Sequence, residues 1–421
     1  MTTARDDTPL RLGPNRTHLA DLRSAGDPVA DTLAGALRAG HEDLDERDLV
    51  RRVLSALVAG PPAAPDLAGL RAWMTDGPPL PPWCDRDRVA AGQRFFADWT
   101  LPICALLWCA ALPNAYAAAD GVQVLALTSD LATHNAGRRI AETGQMLLDV
   151  MDLGHGSLDV LVFGGQGYCL ARGVRLLHAV VRRTLLASPR WDPAWGTPVN
   201  QEDMLGTLLT FTVTVFDGLD RLGMPYNADG ADGYLHAWCV VAYLLGVDPC
   251  LLPLDRAAAN ARRVELARLQ HPSEAGRRLM AVLMAEMERA MPWGLRRLPR
   301  TLVRRVVTPA VADAVGVPPA AWWAPVLGLG GRLGRLPGGR WLLRAPSELL
   351  GRAVMRMYVD LSLDGQGPPF RLDADAARRL ALVTSERRRR RRHRRYDART
   401  RRAAPLPTTL AAGTAPGSVA A

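Results

Sequence analysis

The chain contains no lysine: all 52 of its Lys-plus-Arg positions are arginine. That absence excludes Walker A nucleotide binding, PLP or substrate Schiff bases and the phosphate lysine of kinases, because each needs a primary amine. Cysteine is sparse too. The six cysteines form no C-x-x-C pair, no zinc-type spacing and no C-x-x-C-H haem-attachment site, so free thiols of a reducing compartment are expected. No H-E-x-x-H or G-x-S-x-G motif occurs, which leaves zinc and serine hydrolase chemistry without local support. Long apolar runs are missing as well. The most apolar stretch, 101–119, holds Pro102 and Pro113 and falls short of the roughly 20 residues that a membrane crossing needs. It reads as buried core. Residues 1–20 lack the apolar centre of a signal peptide, and the Arg51-Arg52 pair before VLSALVAG reads as part of a helix, so the expected location is cytoplasmic.

What is present is material for a large core: 48% of the 421 residues are hydrophobic and 22% charged. Apolar residues recur every three to four positions among Ala, Leu and Arg, while β-branched alternation is scarce. The expected fold is all-α, a single large helical domain, with helices at 46–59, 85–111, 130–152, 168–187, 201–222, 230–246, 256–270, 272–290, 301–315 and 345–360. Asn200 is expected to cap the helix beginning at Gln201, with Asp203 in its first turn. The net charge of +10 has a local source. Between Glu386 and Arg402 eleven arginines face two acids, which leaves the remaining chain near +1. The expected organisation is a flexible segment over 1–30, a helical domain over 31–382 and a disordered basic tail over 383–421, the tail suited to nonspecific nucleic acid or anionic lipid. LDVLVF followed by Gly164-Gly165-Gln166-Gly167 imitates a dinucleotide loop, but the third glycine and the βαβ surroundings are missing.

Three helical patterns carry chemistry. In 130–152, Arg139 and Thr143 share a side with Ile140, Met146, Leu147 and Val150, where a guanidinium needs an anionic partner, be it a core carboxylate or a ligand. In 173–182, Arg175, His178 and Arg182 fall at i, i+3 and i+7, opposite Leu176, Leu177, Val180 and Val181. Such a stripe is either a solvated face or a histidine beside a polyanionic group whose carboxylates the arginines would bind. His236 in Gly233-Tyr234-Leu235-His236-Ala237-Trp238 is either a second pocket histidine or a core histidine satisfied by hydrogen bonds.

In order and spacing these segments resemble the MpaB and latex-clearing-protein (rubber oxygenase) superfamily. The resemblance runs over roughly 85–375, through Leu112-Pro113-Asn114-Ala115-Tyr116-Ala117, Arg139-Ile140-Ala141-Glu142-Thr143, the Arg175 to Arg182 helix, Pro198-Val199-Asn200-Gln201-Glu202-Asp203 and Leu235-His236-Ala237-Trp238. It implies a globin-like core binding noncovalent haem b and an oxygenase that uses dioxygen on a hydrophobic, isoprenoid-derived substrate. It maps the iron-ligating histidine onto His178, the haem-orienting arginines onto Arg175 and Arg182, and the distal arginine and threonine onto Arg139 and Thr143. His236 joins the cofactor set, and Glu142 the catalytic set. Glu142 stands where latex-clearing proteins carry a lysine, so no lysine can occupy the distal iron position in this chain. Trp322, Trp323 and Trp341, interleaved with four arginines and no acid over 321–347, read either as a surface loop packed on the protein's own core or as a peripheral membrane contact. No protein partner is indicated. The competing expectation is a noncatalytic helical binding protein that attaches to nucleic acid or anionic lipid by its arginine tail.

Overall fold

The structure is a computed structural model that describes residues 19–40, 73, 79–128, 143–144, 146–151, 160–161, 165–291 and 293–319. All of them belong to one compact unit, Met1–Arg371; the second unit, Leu372–Ala421, contains none. The helices expected at 46–59 and 345–360, most of 130–152, the tryptophan and arginine segment and the basic tail lie outside the described residues.

The fold is all-α, with no strand among the described residues. In chain order it runs α1 (Leu19–Leu22), α2 (Pro28–Ala39), α3 (Arg86–Asp98), α4 (Thr100–Leu106), a π-helical turn (Leu107–Ala111), α5 (Leu112–Tyr116) and α6 (Val122–Thr128). It continues through α7 (Gln166–Leu186), α8 (Gln201–Phe211), α9 (Val213–Arg221), α10 (Ala228–Leu244), α11 (Arg256–Ala267), α12 (Glu274–Ala290), α13 (Leu298–Val306) and α14 (Pro309–Ala314). Short polar side chains start several of these. Asp85 accepts from the Asp87 and Arg88 N–H groups, Asn200 from Asp203, Asp255 from Ala258 and Ser273 from Gly276, so each satisfies amides that the first turn leaves unpaired. The expected Asn200 cap is therefore present.

Three expected helices are broken, each for a local reason. The 301–315 helix breaks at Val307 and Thr308, both extended before Pro309, where the Thr308 hydroxyl caps α14 by accepting from Val311 N–H. The 85–111 helix bends by 84° at Trp99, whose backbone leaves helical values (φ −118°, ψ 22°) while its side chain is buried. The 201–222 helix breaks at Thr212 (φ −118°, ψ −81°), where the hydroxyl donates to Leu208 O at 2.8 Å and the β-branched run 212–215 begins. Proline shapes the next segment. Pro113 has no N–H to donate, and the turn before it widens to π geometry, with Leu112 N–H reaching Leu107 O and Asn114 Nδ2 donating to Ala110 O at 2.8 Å.

The core is built around α10, which is buried along nearly its whole length. Tyr234 sits among Phe95, Phe96 and Phe216 at ring separations of 5.5, 6.3 and 6.1 Å, joining α3, α9 and α10. α3 and α10 touch backbone to backbone. A Cβ on Gly233 would lie 2.7 Å from both Arg88 O and Gly92 N, so the crossing needs glycine on α10, and a Cβ on Gly92 would strike Gly233 in turn. The apolar stretch 101–119 is core, as expected, with Ile103, Leu106, Ala110 and Ala117 all buried. Among the described residues no single helix is long and apolar enough to cross a membrane.

Candidate functional site

A cavity of about 1080 Å³ opens between α4 to α8, α10 and α12. Its walls are mainly apolar. The π-helical turn contributes Leu107, Trp108 and Ala111, α8 Leu208 and Phe211, α10 Trp238, and α12 Leu279 and Leu283. A π turn shifts the register of the side chains that follow it, and this one presents its wider turn to the cavity.

α7 shows the cavity one stripe, Val174, Leu177, His178 and Val181, at the i, i+3, i+4, i+7 spacing of a single helix face. His178 lies at the edge of that stripe. Its Nδ1 is buried without a hydrogen-bond partner among the described residues, which leaves Nε2 as the nitrogen available to the cavity. Burial, then the positive charge of Arg182, lowers the His178 pKa to about 4, with Asp27 acting in the opposite sense. The imidazole is neutral at neutral pH, and its lone pair is open to a metal. Thr143 lines the same cavity, so the structure brings together His178 and Thr143. Arg139 and Glu142 lie outside the described residues.

The two arginines flanking His178 do not join it. Arg175 makes a two-pronged pair with Asp27, Nε to Oδ2 at 2.6 Å and Nη2 to Oδ1 at 2.8 Å. Arg182 donates to Asp31, to Pro198 O at 3.0 Å and to Val199 O at 2.8 Å. Neither lines the cavity. The expectation that they bind haem carboxylates is corrected: the stripe they form faces α2 and the 198–199 turn, and their donors are engaged there. Arg182 has a different use. Val199 sits at φ 51°, a left-handed conformation that a β-branched residue rarely adopts, and two arginine hydrogen bonds hold the strained turn that delivers Asn200 and the start of α8.

His236 is also corrected. It is 2% exposed, lies on α10 against α3, and does not line the cavity. Its Nε2 accepts the Asp85 N–H at 2.9 Å and its ring meets Trp83 edge-on at 5.7 Å. Burial, then Arg88, favours its neutral form, as suits a core acceptor that anchors the start of α3.

One group of cavity residues had no counterpart among the expected site residues. Arg23, which follows α1, reaches Glu202 at 2.8 Å, Asp203 at 3.4 Å and Asp120 at 3.5 Å, and all four line the cavity. Glu202 and Asp203 occupy the first turn of α8, where unpaired amides favour acids. Asp203 is buried enough that its pKa rises to about 7, opposed by Arg23 and reinforced by Glu202. The adjacent acids at 202 and 203 were visible as a helix start, but Arg23 is 179 residues away and nothing local ties it to them.

The family model described as ER-bound oxygenase mpaB/B'/Rubber oxygenase, catalytic domain, matches residues 93–403. The chain belongs to this family. It is 28% identical over 203 residues to the Rubber oxygenase of Streptomyces sp. (strain K30), a match covering 46% of this chain and 46% of that protein, so it spans less than half the length of that relative. In the mpaB/rubber oxygenase fold it also resembles the structure of Latex Clearing Protein LCP in the closed state. The TM-score is 0.61 at 23% identity, over 80% of this chain and 91% of that one.

Proposed function

We propose that the chain is a haem-dependent oxygenase that uses dioxygen on a hydrophobic, isoprenoid-like substrate, with His178 as the iron ligand. The observation that carries the reading is a neutral imidazole, one nitrogen buried, on the wall of a large apolar cavity. Membership of a family described by its oxygenases supports it. The residues present fit the group: His178 offers a lone pair, the cavity is of a size that takes cofactors, and Arg268 stands exposed among its lining residues as a cation for carboxylates. Haem, when bound, supplies the dioxygen chemistry that amino-acid side chains lack.

The chain's own residues do the rest. Burial and Arg182 keep a proton off His178, so the imidazole is ready to bind at neutral pH. Leu107, Trp108, Phe211 and Trp238 exclude water and hold hydrocarbon, which gains about 0.8 kcal/mol for each CH2 buried. Thr143 supplies a hydroxyl on the wall, and Arg139 is proposed as the second polar group toward dioxygen.

The test is an absorption spectrum of the full chain purified from an iron-supplemented culture. A Soret band is expected, and His178→Ala loses it. A colourless chain that cannot be loaded with haem, yet binds anionic surfaces through 386–421, overturns the reading in favour of a noncatalytic binding protein.

A further inference from the structure

The connection between α12 and α13 stands clear of the rest of the protein. It is a short 3-10 turn, Trp293–Leu295, and Trp293 is 87% exposed, the most open large apolar residue among those described. A Cβ added to Gly294 would meet nothing within 4 Å. A lone exposed apolar side chain is ordinary on a protein surface. The company of this one is not. In the sequence, the six uncharged residues 290–295 are bounded by Arg289 on one side and by Arg296 and Arg297 on the other, and 290–312 holds five arginines and no acid. Arg289, Arg300 and Arg304 are neutralised by Glu286, Glu288 and Asp313. Arg296, Arg297 and Arg305 are exposed and make no ion pair among the described residues. α13 turns Pro299, Val303 and Val306 inward, which leaves the indole outside the core that they join.

We propose that this turn docks the protein on an anionic lipid bilayer, with Trp293 seated between headgroups and acyl chains and Arg296, Arg297 and Arg305 set against lipid phosphates. An indole suits that depth, since its ring is apolar and its N–H can serve a headgroup. The three arginines supply the matching charge. A second copy of the chain fits the surface badly, because a two-fold contact would bring the same three positive charges face to face. Nucleic acid would meet the charges but offers the tryptophan no apolar layer to enter. α12, whose Leu279 and Leu283 wall the cavity, ends at this turn, so a docked protein holds its cavity within one helix length of the layer in which hydrocarbon dissolves. That last step rests on the hydrocarbon reading of the cavity; the docking itself does not.

The test titrates the full chain with phosphatidylcholine vesicles that contain phosphatidylglycerol, reading co-sedimentation and the quenching of tryptophan fluorescence by lipids brominated on their acyl chains. The parent is expected to bind and to be quenched. Trp293→Ser should weaken binding about tenfold, the lower end for burying a large apolar side chain, and should lose part of the quenching. Arg296→Gln with Arg297→Gln should weaken it about fivefold per charge. These side chains are exposed, so the variants keep the fold. Arg183→Gln with Arg190→Gln removes the same charge from the exposed end of α7 and should stay within about twofold of the parent, since charges off the docking surface are screened. Binding unchanged in Trp293→Ser and in the 296–297 pair overturns the proposal and leaves the basic run at 386–402 as the attachment. Quenching undiminished in Trp293→Ser overturns it, as does an equal loss in the α7 control, which would reduce the effect to net charge. Affinity for a DNA duplex that falls in these variants while vesicle binding holds assigns the turn to nucleic acid and overturns it too. Haem does not enter this readout. A chain that docks through Trp293 but takes no haem refutes only the oxygenase reading, and a haem-loaded chain whose vesicle binding ignores Trp293 refutes only the docking.

Discussion

Arg175 and His178 are three residues apart on α7, and the structure gives them unrelated tasks. Arg175 is committed to Asp27, and both side chains are largely buried, at 13% and 8% exposure. Removing one member of such a pair strands the other's charge, which costs about 3–5 kcal/mol. Arg175→Met is therefore expected to lower the urea midpoint strongly while leaving the position of any Soret band unchanged. A shifted band with unchanged stability would return Arg175 to the cofactor. The reason that the stripe misleads as a sequence is distance along the chain. The partners Asp27 and Asp31 lie 148 and 151 residues from their arginines, so periodicity reports that three polar residues share a face and not what the face meets. His178 stood out because one local pattern and one family resemblance met at the same residue.

At the level of elements, most helices follow from spacing and caps, and the departures come from single residues that redirect the backbone. Trp99 and Thr212 are unremarkable in a periodicity reading, since neither is proline or glycine; burial of an indole and a hydroxyl bond to Leu208 decide their conformations. The close crossing of α3 and α10 is equally hidden, because Gly92 and Gly233 lie far apart in the chain and each looks like an ordinary helix glycine. Gly92→Ala is expected to destabilise the protein by more than the roughly 1 kcal/mol that alanine's better helix propensity would add, since the new methyl meets Gly233 backbone. Circular dichroism melting of Gly92→Ala beside an exposed control such as Gly294→Ala checks this, because a Cβ at Gly294 meets nothing within 4 Å. An unchanged melting temperature in Gly92→Ala would show that the two helices can separate freely.

For the whole molecule, the buried acid at the polar end of the cavity links stability to pH. Burial raises the pKa of Asp203 from 3.8 to about 7 despite the opposing pull of Arg23. Between those values the native chain holds a proton that the unfolded chain has released, so this group's contribution falls as pH rises through the window. Asp203→Asn, which resembles the protonated acid, should gain on the parent as pH rises from 4 to 7, by up to roughly 4 kcal/mol. Urea unfolding of both proteins at several pH values measures the difference, and a constant gap would mean that Asp203 is ionised throughout. The family match begins at residue 93, yet the two carboxylates that neutralise Arg175 and Arg182 lie on or just before α2. Anyone designing an expression boundary from that match would amputate both counter-charges and loosen the turn that launches α8, so the shortest segment worth producing starts upstream of Leu19.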